Sequence, residues 1–194
     1  NKKKAFSIYN REKHLLKDAI NNGDESYHIL SISTINNDFS DSRMVVLRNI
    51  KIIPFKIFFN IDIRSPKAQQ LANSKYCTAL FYNQKRRIQI RLKSSIIIHN
   101  NNPLSEIIWD KTPLQSRKCY MGPYAPSKQL TKWHPNVPLK YLGKDPELKD
   151  SAKGYKNFSH VELKVVETDI LELHHDGHIR FKVNDDEKIF FLSP

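Results

Sequence analysis

A succession of short runs rich in Ile, Val, Phe and Thr, each closed by turn-forming residues, constrains this chain more than any other feature. Tyr27 to Thr34, Arg43 to Asn49, Phe55 to Ile61, Thr78 to Tyr82 and Arg87 to His99 are such runs. β-Branched and aromatic side chains suit the pleated, half-buried surface of a strand. The Asn-Asn, Ser-Asp and Asn-Gln pairs between the runs are turn formers. The end of the chain repeats the pattern in His160 to Val166, Asp169 to His174, Ile179 to Val183 and Lys188 to Leu192, with hairpin turns at Asp176-Gly177 and Asn184-Asp185-Asp186. This spacing predicts a compact antiparallel barrel or sandwich, mainly β with flanking helices.

Helices interrupt the strands. Leu15, Leu16, Ala19 and Ile20 fall at helical spacing, and Asn22-Gly23-Asp24 supplies a stop, so an amphipathic helix is expected over 9–22. Leu104, Ile107, Ile108 and Trp109 predict another within 103–118, with a second short piece over 116–121. The stretch 122–156 carries proline, Trp133 and charge without period, and reads as a long surface excursion or lid. The chain has 194 residues, 22.7 kDa and 39% hydrophobic content, which a single domain over 1–194 accommodates with a sizeable core.

The formal net charge of +12 attracts polyanions. Lys and Arg are nevertheless spread over every segment, and no helix-turn-helix, zinc-finger or RNP-type motif occurs, so specific nucleic-acid binding is not expected. Cys77 and Cys119 lie far apart without metal-ligand spacing, which predicts neither a zinc site nor a disulfide and points to a reducing, cytoplasmic setting. No apolar run approaches the roughly 20 residues that cross a bilayer, so no membrane partner is expected.

The densest chemistry lies at Asp62-Ile63-Arg64-Ser65-Pro66-Lys67-Ala68, between an aromatic strand and a helix starting at Pro66. Ser65 is a natural N-cap and Pro66 a natural first helical residue. Two readings stand. Backbone amides with Arg64 and Lys67 converge on an anion such as a phosphate, or Ser65 only caps the helix while two basic residues sit in water.

In order and interval, Arg43-Met44-Val45-Val46-Leu47-Arg48, this corner, Phe81-Tyr82 and Arg87-Ile88-Gln89-Ile90-Arg91 resemble the pyridoxamine 5′-phosphate oxidase superfamily, the FMN-binding split barrels. The likeness extends over about three quarters of the chain. It implies a split β-barrel that binds FMN through Arg43, Met44, Val45 and Val46, holds the phosphate at Asp62, Arg64, Ser65 and Lys67, and bonds the ring system through Gln89. It further implies a homodimer with the flavin at the interface, so that Ser127 and Arg180 serve the cofactor of the other subunit. Trp109, Arg117 and the segment from Met121 to Pro126 look closer to the branch of unassigned substrate than to the vitamin enzyme.

By the same resemblance, Arg48, Trp109, Arg117 and His178 are candidate contacts for a small-molecule substrate; the other reading of Trp109 and Arg117 is that both simply pack or cap the middle helices. Trp109, Pro113 and Arg117 stand where the oxidase has groups that grip its substrate phosphate, and Asp176 replaces an arginine. Turnover of pyridoxine or pyridoxamine phosphate is therefore expected to be very weak. No catalytic side chain is expected, because a flavin carries its own redox chemistry. The implied function is an FMN-dependent oxidoreductase. A non-catalytic flavin- or haem-binding split barrel, or a basic nucleic-acid-binding barrel, are the alternatives.

Overall fold

The computed structural model describes residues 1–194. Nine strands carry the fold: β1 Ile29–Asn36, β2 Phe39–Val46, β3 Asn49–Lys51, β4 Lys56–Asp62, β5 Tyr76–Asn83, β6 Ile88–His99, β7 Phe158–Glu172, β8 Ile179–Asn184 and β9 Ile189–Phe191. They form a mostly antiparallel, unclosed sheet in the order β2-β1-β5-β6-β7-β4-β3, with β8 on β7 and β9 on β8. The mainly-β expectation with flanking helices holds. The two strands expected over 160–166 and 169–174 are one continuous β7. The helices are α1 Lys2–Asp18, α2 Pro66–Ala72, α3 Pro103–Lys111, α4 Leu114–Arg117 and α5 Leu148–Ser151.

The chain packs as two compact units, one of residues 1–59, 74–97 and 162–194, the other of 60–73 and 98–161. In the first, alternation along the strands buries Leu30, Ile32, Val45, Phe81, Ile90, Leu92, Ile170 and Phe181. Each such side chain contributes about 1.5–3 kcal/mol. Helix α1 begins seven residues before the expected start at Tyr9, and its buried face is Ala5, Ile8, Tyr9, Glu12, Lys13 and Leu16. The seven added residues open on Lys2-Lys3-Lys4 and bury only Ala5 and Ile8, too few apolar positions to mark a stripe. Glu12 accepts from Tyr27 Oη at 2.5 Å, from Arg86 Nη2 at 2.9 Å and from Arg11 Nε at 2.7 Å. Burial and this carboxylate push the Tyr27 phenol up. Glu162 is buried and paired with Lys56.

The second unit is built on aromatic packing. Trp109 lies 5.2 Å from Phe158, 5.8 Å from Tyr120 and 5.9 Å from Tyr155 between ring centroids. Gly154 fits here because a Cβ would come within 3.1 Å of both Trp109 and Met121. Asn102 and Ser105 exchange side-chain-to-backbone bonds at the start of α3, forming a capping box. The stretch read as an excursion over 122–156 has structure of its own, including α5 and 3₁₀ segments at Leu139–Tyr141 and Ala152–Asn157. Asn136 organises its first part by accepting from Tyr124 N and donating to Tyr124 O, each at 3.0 Å. Gly122 passes so close to Asn136 that a Cβ would stand 2.1 Å from its carbonyl oxygen.

Candidate functional site

The candidate residues divide between the two units. Within the first, strand register sorts them by face. Ile32 pairs with Arg43 and with Ala79, and Ala79 with Leu92, so Arg43 stands on the core-facing side. Ser31 pairs with Met44 and with Leu80, and Tyr82 with Gln89, which puts these on the other side. The run Arg43 to Val46 therefore alternates. Met44 and Val46 share the face of Gln89, whereas Arg43 and Val45 lie on the opposite one.

The Gln89 face is half-exposed and largely apolar, with Ile29, Met44, Val46, Leu80 and Tyr82 beside Ser31, Gln89 and Arg91. A flat ring with polar edges fits such a platform, because apolar side chains cover its face while an amide meets its rim. The guanidinium of Arg43 donates to Thr34 Oγ1 and, at 3.4 Å, to Ile32 O. Arg48 is exposed just past the end of β2.

Arg180 is tied into a cluster that the sequence reading missed. Asp169 accepts from Arg180 Nε at 3.2 Å and Nη2 at 3.0 Å, and from Arg91 Nη2 at 2.6 Å. Burial opposes the charge on Asp169, but the two guanidiniums outweigh it and hold the carboxyl below its usual range. Arg91 follows Gln89 by two residues and so shares its face. That alternation was readable, whereas its meeting with Asp169 across 78 residues was not. His178 is exposed in the β7–β8 turn, where its Nδ1 accepts from His174 N at 3.1 Å.

The phosphate-like corner lies in the second unit, and its local structure is as expected. Ser65 caps α2, accepting from Ala68 N at 3.3 Å and donating to Asp62 O at 2.7 Å. Arg64 grips Asp62 with two prongs, Nε to Oδ1 at 3.0 Å and Nη2 to Oδ2 at 2.7 Å, and donates from Nη1 to Gly122 O at 3.0 Å. The bond to Asp62 raises the Arg64 pKa against the cost of burial. Ile63 N donates to Asn157 O at 2.8 Å. Most of the Arg64 donors are thus committed to holding the corner, and Lys67 is the half-exposed cation on the helix itself.

Trp109 and Arg117 are packed together. Trp109 is 4% exposed and Arg117 5%. Arg117 donates to Thr112 O at 2.9 Å, Asp110 O at 3.0 Å and Ser151 Oγ at 3.2 Å, and its guanidinium lies 5.0 Å from the Trp109 ring centre. It satisfies the last carbonyls of α3, the capping role open to a cation after a helix. Ser127 is exposed with φ 67°.

Residues 10–100 match the family model described as pyridoxamine 5′-phosphate oxidase, FMN-binding domain. No curated protein matches the chain. Among solved structures, a pyridoxamine 5′-phosphate oxidase-related, FMN-binding protein of Nostoc punctiforme is 19% identical, with 95% of this chain and 96% of that one covered and a TM-score of 0.75. PhzG of Burkholderia lata, solved with tetrahydrophenazine-1-carboxylic acid, is 16% identical over 97% of this chain and 92% of its own, with a TM-score of 0.67. A protein of Clostridium acetobutylicum related to general stress protein 26, of the pyridoxinephosphate oxidase family, is 12% identical over 97% and 99%, with a TM-score of 0.54. At these identities the structural likeness carries the fold, which is the expected split barrel.

Proposed function

We propose, from the premise that the chain belongs with the pyridoxamine 5′-phosphate oxidase-like split barrels, that it binds FMN and uses it to oxidise or reduce a small molecule. The observation that carries this reading is the half-exposed apolar platform around Gln89, within the stretch that matches the FMN-binding family model. Met44, Val46, Leu80 and Tyr82 would cover one face of the flavin ring, and Gln89 would hydrogen-bond its polar edge. Lys67 and the Ser65 turn would hold the phosphate, with Arg64 keeping the corner in shape through Asp62. When bound, FMN supplies electron or hydride transfer, and the chain's own residues position it and keep water away. The reading includes a homodimer in which Ser127 and Arg180 reach the partner's flavin.

The substrate differs from phosphorylated pyridoxine in this reading. Trp109 and Arg117 spend their contacts on packing and capping, which leaves Arg48 and His178 as the exposed candidates for substrate. Purified protein is expected to be yellow, to release FMN identifiable by mass on denaturation, and to scatter light as a dimer. Lys67→Ala should weaken FMN at least tenfold, with partial rescue by Lys67→Arg. A folded protein that takes up no FMN, or a Lys67→Ala variant that keeps it fully, would overturn the assignment.

A further inference from the structure

The second unit contains a cleft of about 450 Å³ whose wall includes Arg64, Lys140, Tyr141, Asp150, Lys153 and Lys156. None of Lys140, Lys153 and Lys156 belongs to the flavin reading above. The cations of the wall outnumber its acids. Arg64, Lys140, Lys153 and Lys156 stand against Asp150 on the wall and Asp62 behind Arg64, an excess of two positive charges.

The frame of the cleft is fixed. Tyr141 and Asn157 are buried, and Asn157 Nδ2 donates to Tyr120 O at 2.8 Å. Lys118 Nζ holds the far rim by donating to Tyr141 O at 3.3 Å and Lys144 O at 3.0 Å. At the centre, Asp150 gathers Lys140, Tyr141 and Lys153, with Lys153 Nζ at 3.2 Å. These donors hold the Asp150 carboxyl well below the usual carboxylate range. Two ammonium groups are thereby drawn together around one carboxylate, and each keeps further N–H donors.

We propose that this cleft is a second anion site, binding the dianionic phosphoryl group shared by inorganic phosphate and phosphate monoesters. Its volume falls within the ordinary range of small-ligand sites. A charge excess of two matches a dianion, and the lysines act as mobile point charges around the rigid Arg64.

The test uses the flavin-loaded protein, melted in inorganic phosphate and in glycerol 3-phosphate, each against sodium chloride of equal ionic strength. A saturating rise in melting temperature of a few degrees is expected. Greater protection by inorganic phosphate would identify the free ion as the ligand, and greater protection by the ester a monoester. No protection beyond chloride by either would overturn the site. The double variant Lys153→Ala with Lys156→Ala changes exposed side chains and should fold, keep its flavin and lose the rise. A retained rise would put the anion elsewhere. Loss of flavin together with the rise would assign the cleft to the flavin phosphate and end the second-site claim. Asp150→Asn removes the competing carboxylate and should tighten phosphate several-fold, whereas unchanged affinity would overturn the part given to Lys140 and Lys153.

Discussion

The most buried arginine of the second unit is neutralised differently from the arginine clusters of the first. In the first, arginines meet carboxylates: Asp169 takes Arg91 and Arg180, and Glu12 takes Arg11 and Arg86. In the second, the most buried arginine meets none. Arg117 is held by two backbone carbonyls, one hydroxyl and the face of Trp109. Carboxylates titrate and carbonyls do not, so acid should loosen the Asp169 cluster and leave the Arg117 arrangement untouched.

Arg117→Ala carries the largest expected effect. It leaves the last carbonyls of α3 and Ser151 Oγ without their donor and opens space against Trp109, at a cost of about 3 kcal/mol. Urea unfolding followed by tryptophan fluorescence measures it, and the loss should be the same at pH 5 and pH 8. A loss that shrinks in acid would break the contrast.

Asp169→Asn should cost about 2 kcal/mol at neutral pH, because two guanidiniums lose their shared counter-charge. The folded carboxyl sits below its unfolded value, so its contribution is complete above about pH 4 and fades as pH falls through the folded value. The difference between variant and parent should therefore narrow below about pH 4. A constant difference in urea unfolding across that window would mean that Asp169 acts by shape alone.

The smallest effect concerns thiols, one in each unit. Cys77 is 5% exposed, and burial pushes its thiol up to about 12, whereas Cys119 is exposed. Native protein at pH 8 should give one fast-reacting thiol, with the second appearing only in denaturant. Two fast thiols would show that the first unit opens far more readily than its packing implies.

What the sequence made legible was whatever repeats locally. Strand alternation, the Ser65-Pro66 helix start and the Asp176-Gly177 turn depend on neighbours, and all are where their spacing puts them. The candidate platform was legible in part, since alternation alone places Arg91 beside Gln89. The start of α1 was hidden because it opens on Lys2-Lys3-Lys4 and buries only Ala5 and Ile8 before Tyr9. The packing of Trp109 and Arg117 was one of two readings that their positions left open. Helical spacing marks an aromatic and a cation, but only the arrival of Ser151, Tyr155 and Phe158 decides that both turn inward.

The corner at 62–65 has a consequence in time. Ile63 N bonds Asn157 O and Arg64 bonds Gly122 O, so the turn that precedes α2 is completed by residues made much later. Asn157 leaves the ribosome 94 residues after Ile63, on the order of 5–20 seconds at ordinary synthesis rates. Until Gly122 and then Asn157 emerge, this corner has only its local bonds, and the nascent chain must wait with the turn half made.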